Sequence, residues 1–284
     1  MEWVERLNSA INYMEENMSG DIDMGQVAKI ACCGTYHFQR MFTYMAGMPL
    51  SEYIRKRKMS LAAVELQSDN KKVLDVSLKY GYDSPTAFNR AFKSVHGITP
   101  SQAKEGGIVL KAFPPISFRV MIKGEREMNY RIEKKEGFRI IGISIPLDKE
   151  IEKNFEVVPG MWQKAAMDGT IQKLAKNMDC DLKGLLGVSA CNDENEWRYF
   201  IAVASNQQLD GELEEYIVPA ATWAIFEGEG IHLSIQELEK RIVTEWLPTS
   251  GYEYANAPDI EVYINQDPQN AKYEVWIPVV RKES

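Results

Sequence analysis

One carboxylate in this 284-residue chain is set apart by its neighbours: in "DIEVYI", Glu261 stands between Ile260 and Val262. Strand alternation puts Ile260, Val262 and Ile264 on one face and Glu261 with Tyr263 on the other. A carboxylate seated among apolar residues costs several kcal/mol unless a cation or hydrogen bonds compensate. Glu261 is therefore either a receptor for positive charge or the solvent side of a half-covered strand. Ring faces for a cation could come from Trp276, Trp223, Tyr199, Trp162 and Trp246, each contact worth about 0.5–2 kcal/mol. The alternative use of each ring is ordinary packing between sheet and helix. Glu274, opposite Tyr273 in the last strand, competes less well for the same role.

A different chemistry is written twice. "FQRMFTYMAG" at Phe38–Gly47 and "FNRAFKSVHG" at Phe88–Gly97 share Phe-x-Arg-x-Phe-x-x-x-x-Gly, fifty residues apart. The guanidinium forks of Arg40 and Arg90 suit guanine O6/N7 or a phosphate, and the amides of Gln39 and Asn89 suit adenine edges. Thr35, Tyr36 and Thr86 fall near helix N-termini, where phosphate or base contacts form. The competing readings are surface salt bridges for the two arginines and a residue that merely fills the helix surface for Tyr36. His37 is left out of the contact set.

Helices must carry these residues. Trp3, Leu7, Ala10, Ile11, Met14 and Met18 recur at helical spacing; "SGDID" breaks the pattern, and Asp21 or Asp23 can cap a short helix over "MGQVAKIA". Gly34 marks a turn, after which Phe38, Met41, Phe42 and Met45 form an apolar stripe, leaving Thr35, Tyr36, Gln39, Arg40 and Thr43 for solvent. A longer helix is expected over Ser51–Gln67. The scheme then restarts: a helix over Val73–Tyr80, a turn at Gly81, and a helix from about Pro85 with Ser84 as its cap, Phe88, Ala91, Phe92 and Val95 inward and Thr86, Asn89 and Arg90 outward. Within each copy the two Phe residues pack on one face and the Gly ends the helix in a left-handed turn. Two short helices joined by a tight turn, the second amphipathic, is what a helix-turn-helix requires.

Charge divides the chain. The net charge is -8, but residues 1–106 hold 13 Lys+Arg against 12 Asp+Glu and the remainder 20 against 29. Such asymmetry is a sign of divided labour. The expected organisation is residues 1–106 as an all-α double helix-turn-helix domain, 107–127 as a linker with extended pieces, and 128–284 as an α+β domain. In the last, strand and helix patterns give β-α-β-β written twice, with a strand or strand pair over 130–147, helices within 154–177 and over 234–246, and Ile235, Leu238, Ile242 and Trp246 on one helix face. The tandem predicts a curved antiparallel sheet with a central ligand cleft. Cys32, Cys33, Cys180 and Cys191 include no CxxC and read as ordinary thiols of a reducing compartment, and His37, His96 and His232 read as partly exposed polar residues outside any metal-ligand spacing. No metal or cofactor is expected. The acidic start of the chain and the absence of a long apolar run predict a cytoplasmic protein.

The string "QRMFTYMAGMPLSEYIRKRKMSLAAVEL", followed by "VSLKYGYDSPTAFNRAFKSVHGITPSQAK", resembles the DNA-binding domain of AraC/XylS transcription regulators, over roughly residues 3–105. It departs at Gly34, where Ser is usual, and at Lys58, where Arg is usual. Residues 128–284 resemble the GyrI-like effector-binding domain of Rob-type regulators through "ATWAIFEGEG", "TEWLPTSGYE", "PDIEVYI" and "YEVWIPV". The first resemblance implies two recognition helices set in successive major grooves of double-stranded DNA, about 34 Å apart. The second implies that Glu261 corresponds to a pocket glutamate that receives lipophilic cations. Together they imply a ligand-responsive transcription regulator, more in the habit of activation than repression, with polymerase as a further partner. The copies differ at Gln39 against Asn89 and at Thr35-Tyr36 against Pro85-Thr86, so one monomer reads an asymmetric operator.

Two other functions compete. Glu261 with Tyr263 or Tyr199 could serve as base and orienting hydroxyl in hydrolysis of a small electrophile, although no Ser/His/Asp or Cys/His arrangement, P-loop or GxGxxG is present. The acidic half could instead dock another protein.

Overall fold

The structure, a computed structural model, describes residues 3–68, 71–105, 107–119, 127–148, 151–191, 196–208, 211, 213–265 and 271–282. It divides into two units, Met1–Arg119 and Val120–Ser284.

The first unit is helical: α1 Trp3–Glu16, α2 Met24–Ala31, α3 Thr35–Ala46, α4 Leu50–Ser68, α5 Val73–Lys79 and α6 Pro85–His96. Asp23 caps α2 by accepting from the backbone N–H of Gly25 at 2.8 Å and of Gln26 at 3.2 Å. Gly47 and Gly97 close α3 and α6 at φ 66° and 81°, the left-handed geometry that favours glycine. Most of each predicted stripe is core: Phe38, Met41 and Phe42 are buried, as are Trp3, Leu7, Ile11 and Met14, and Phe88, Phe92 and Val95 are buried with Met59, Leu66, Val76 and Tyr80, whereas Met45 and Ala91 are only half-buried. Ser84 occupies the N-cap of α6, but its side chain makes no capping bond, contrary to the expectation; Pro85 begins the helix and has no N–H to satisfy.

Two histidine expectations fail. His37 and His96 are buried rather than partly exposed, and the side chain of His232 lies outside the described residues. The His96 ring explains its own burial, because both nitrogens are used: Nε2 meets Met59 O at 3.1 Å and Nδ1 accepts from Lys111 N–H at 3.3 Å.

That second bond belongs to an extended strap over residues 108–118, which is laid along the helices by side chains. Gln67 donates to Ile108 O, Phe113 N–H donates to Ser60 Oγ at 3.0 Å, and Ile116 N–H donates to Tyr53 Oη at 3.2 Å. Asn8 pairs with Phe118 in both directions, at 2.8 and 3.0 Å. Arg57 donates to Phe113 O while its fork grips Glu15, which also accepts from Tyr53 Oη at 2.6 Å. Residues 107–119, read from sequence as linker, thus lie within the first unit; 120–126 fall outside the described residues.

The second unit is built on β1 Tyr130–Lys135, β2 Phe138–Pro146, β3 Leu185–Cys191, β4 Trp197–Ala204, β5 Glu214–Val218, β6 Ala221–Gly230, β7 Tyr252–Tyr254, β8 Asp259–Tyr263 and β9 Ala271–Arg281. Helices α7 Ile151–Met167 and α8 Thr170–Lys176 follow β2, and α9 His232–Arg241 follows β6. Each half opens on a strand pair, and the first half carries two helices where one was expected. The antiparallel order is β1-β6-β9-β8-β3-β4-β2-β5, with β7 on β9. Chain connectivity forces this sheet to curl. β1, at one end of the order, is joined to β2, near the other end, by only Glu136 and Gly137, and β5 is joined to β6 by only Pro219 and Ala220. The two links touch: a Cβ on Gly137 would lie 3.1 Å from Val218 O. The inner face closes over Ile140, Val188, Phe200, Trp223, Ile260 and Trp276.

The register also relates the halves by a pseudo-twofold. Ile140↔Ala204 in β2–β4 corresponds to Trp223↔Pro278 in β6–β9, and Phe138↔Val218 in β2–β5 to Ala221↔Lys135 in β6–β1. The first strand of each half therefore pairs with the other half. By the same correspondence Tyr199 matches Tyr273, and Gly187 matches Glu261, to which it is itself paired across β3–β8. The axis passes between those two residues.

Candidate functional site

Glu261 is half-buried on the outer, helix-bearing face of the sheet. Its Oε2 accepts from Tyr263 Oη at 2.8 Å and Tyr199 Oη at 3.1 Å, and Trp162 Nε1 on α7 donates to Tyr199 Oη at 2.9 Å. The Trp162 and Tyr263 rings lie 4.8 Å apart. Two phenols satisfy one carboxylate oxygen without neutralising it. Burial, and next the charge of Glu261, push both phenols well above the usual tyrosine range, so they remain neutral donors. Room for this arrangement comes from Gly187: a Cβ there would sit 2.2 Å from Tyr199 Oη and 2.8 Å from Glu261 Oε2.

The seven residues expected to form one site are not together. Glu261, Tyr263, Tyr199 and Trp162 form a contiguous cluster. Trp276 is register-paired with Ile260 and Trp223 packs on Trp276 at 5.9 Å, so both lie on the inner face, behind Glu261. Trp246 shares the outer face but belongs to a separate aromatic group with Phe226, Tyr130 and Tyr252. It follows α9 through a π-turn, Ile242–Trp246, beyond the regular helix. Glu274 is also on the inner face, where Arg131 Nη2 lies 2.7 Å away and Trp276 Nε1 donates at 2.7 Å. Lys135 Nζ lies 5.0 Å over the Trp276 ring. That carboxylate has structural partners enough.

Sequence reasoning missed Gly187, whose role depends on what lies across the strand, and Glu239 on α9. Glu239 is only 5 % exposed, and its charge bears on Tyr199, Tyr263 and Tyr273. A glutamate in "SIQELEK" carries no such signal unless the helix face is known.

In the helical unit, Thr86, Asn89 and Arg90 are exposed on α6 as expected. The corresponding residues of α3 are not free to the same degree: Thr35, Tyr36, Gln39, Arg40 and Thr43 are all half-buried. Arg40 lies over the Tyr44 ring at 5.7 Å, and Thr43 Oγ1 donates to Gln39 O at 2.9 Å. The helical surface is thus partly occupied by its own neighbours one turn away. The N-cap residues of α3 and α6, Gly34 and Ser84, make no side-chain capping bond.

Among the described residues no group of His, Cys, Asp and Glu is placed to hold a metal, and no helix is long and apolar enough to cross a membrane.

A helical unit that presents two amphipathic helices, joined to a sheet domain with a carboxylate at its axis, defines a DNA-binding protein with an effector module. Comparison with known proteins gives the same class. Residues 128–280 match the GyrI-like small molecule binding domain and residues 27–106 a helix-turn-helix domain. The chain belongs to the GyrI-like family and is an AraC-type transcription regulator with that domain at its C-terminus. It is 38 % identical over 95 residues to the HTH-type transcriptional activator AarP of Providencia stuartii, covering 34 % of this chain and 70 % of that one. It is 24 % identical over 289 residues to the Right origin-binding protein of Escherichia coli K12, covering 95 % and 96 %. A putative bacterial transcription regulation protein from Staphylococcus aureus MU50 is similar over 54 % of this chain and 99 % of its own, at 21 % identity and a TM-score of 0.45.

Proposed function

We propose that this regulator reads DNA as a monomer, through α3 and α6 in successive major grooves, and responds to an amphipathic cation bound over Glu261. The observation that carries the effector half is the Glu261 carboxylate, held by two neutral phenols beside an indole. Phenols that donate to a carboxylate orient it without bringing a countercharge of their own, and ring faces at the same place suit a lipophilic cation. For the DNA half, Thr86, Asn89 and Arg90 supply an exposed phosphate and base-edge set, and α3 contributes Gln39 and Arg40. The unlike outer faces of α3 and α6 support an asymmetric operator. Activation, by contact with RNA polymerase in the cytoplasm, is the reading we adopt, and AarP's description as a transcriptional activator supports its direction.

The experiment has two arms. DNA selected from a random pool by the full chain, then footprinted, yields the operator; thermal shift with tetraphenylphosphonium reports the effector. We expect the cation to raise the melting temperature of the wild type and not of Glu261→Gln. An equal shift in both proteins would remove Glu261 from the site. Turnover of a reactive ester that is lost in Glu261→Gln would favour hydrolysis instead.

A further inference from the structure

We propose that Lys58 is a positioning residue for DNA recognition: its ammonium braces the two helix-turn-helix modules against each other and so fixes the half-site spacing that one chain accepts. This inference rests on the two-groove reading above and goes beyond it in naming the residue that holds α3 and α6 at a set distance and angle.

Lys58 lies near the middle of α4 and is half-buried. Its Nζ donates to Gly20 O and to Tyr80 O, both at 3.1 Å, across 38 residues in one direction and 22 in the other. Gly20 stands in the loop that leads from α1 into α2, the first helix of the N-terminal module. Tyr80 is the C-cap of α5, the first helix of the second module. One nitrogen thus joins the backbones of both modules. Other α4 side chains reach one module each: Arg57 and Tyr53 bond Glu15 on α1, and Glu65 accepts from Lys79 and Tyr80 at the end of α5. The strap also touches α1 and α6, but between Lys111 and Phe118 it does so through extended chain rather than through a single atom.

The chemistry suits a brace. An ammonium carries three donors on a flexible stem and can turn them toward carbonyls in different directions. The last carbonyls of a helix hold partial negative charge and attract a cation. Burial lowers the pKa of Lys58 and the charge of Asp21 opposes this, so the two bonds serve a group partly removed from water, where they are stronger than in solvent. The site is also tight: Gly81, at φ 80°, lies in the turn after α5, and a Cβ there would stand 3.4 Å from Lys58 Nζ. Without the brace, α4 and the strap alone join the modules, and each can tilt about its own end of α4. One inserted base pair moves the second groove by about 3.4 Å and turns it by about 34°. A braced pair of helices cannot follow that displacement, and an unbraced pair can.

The operator selected from the random pool and footprinted supplies three probes: the site itself, the site with one base pair inserted between the two footprinted grooves, and a duplex with the second groove's sequence scrambled. Fluorescence anisotropy of each with the full chain, at one salt concentration, tests the brace. We expect the insertion to cost the wild type at least about tenfold, or about 1.4 kcal/mol, and Lys58→Met no more than about threefold, while both proteins bind the scrambled duplex within about twofold of each other. Lys58→Arg should keep the wild-type penalty. A general loss of structure would weaken Lys58→Met on all three probes alike and leave its insertion penalty unchanged; that result, or a penalty lost equally in Lys58→Arg, overturns the brace and leaves the two-groove reading standing. A footprint over one groove, or no insertion penalty in the wild type, overturns the two-groove reading and this inference with it. Lys58→Gln, whose amide ends one atom short of the ammonium and cannot span both carbonyls, takes the place of Lys58→Met if that variant does not fold.

Discussion

Gly187 and Glu261 face one another across β3 and β8, and a Cβ on the glycine would stand 2.8 Å from Glu261 Oε2 and 2.2 Å from Tyr199 Oη. Tyr199 is buried and bonded to both Trp162 and Glu261, so it has nowhere to retreat. Gly187→Ala should therefore break the Tyr199–Glu261 bond and destabilise the domain by about 1–3 kcal/mol, the usual range for overpacking. Chemical denaturation measures the loss. The stabilisation by tetraphenylphosphonium should vanish in the same variant.

Arg90 is exposed, whereas Arg40 is half-buried over Tyr44. Arg90→Ala should cost about 1–3 kcal/mol at the footprinted site. If Arg90 meets a base, sequence preference relaxes there; if it meets a phosphate, the slope of log K against log salt falls by about one. Arg40→Ala should cost DNA affinity too, with a loss of helix packing measurable in its melting curve. Unchanged affinity and preference in both variants would remove these helices from DNA.

Asn8 holds Phe118 through both its N–H and its C=O. Asn8→Ala leaves two strap groups without partners, at about 1–3 kcal/mol for each one that stays buried. Hydrogen exchange should then quicken at the amides of Phe113, Ile116 and Phe118 more than in α2. Uniform quickening would mean that the strap adds nothing beyond general stability.

Burial holds His96 below the ordinary histidine range; its bond to Met59 O opposes this and the nearby Lys111 reinforces it. The unfolded chain takes up the proton first, so the helical unit has its full stability above the unperturbed value of 6.5 and loses some as pH falls below it. Glu65 titrates in a separate window. Burial would raise its carboxyl, but hydrogen bonds from Lys79, Tyr80 and Lys71 outweigh this and hold it at about 2, so its contribution is intact above its unperturbed 4.5 and is lost as pH falls through about 2. Urea titrations between pH 7.5 and 5 should show the first loss in the wild type and a flatter profile in His96→Gln.

The local features of this fold are written in its local sequence. The Asp23 cap, the glycines that end α3 and α6 and the buried Phe pairs follow from spacing alone, as does the placing of Glu261 and Tyr263 on one strand face. What escaped depends on neighbours distant in sequence. Alternation gives Glu261 its side of β8 and Trp276 is expected at the same site, but the pairing Ile260↔Trp276 puts the indole on the other side of the sheet. His96 was read by residue type, and only the strap above it reveals why a polar ring is buried. The strap itself has no periodicity to detect, because its backbone bonds run to side chains rather than to another strand.

The exchange of β1 and β5 between the halves of the sheet domain has a consequence for how such a site can exist at all. Two identical half-domains, trading first strands as a homodimer, would close the same sheet, but any residue on the axis would meet its own copy. Glycine against glycine leaves no charge there, and glutamate against glutamate sets two carboxylates in repulsion. Only a single chain, free to vary one half without the other, can place a carboxylate on one side of the axis and the space for its partners on the other.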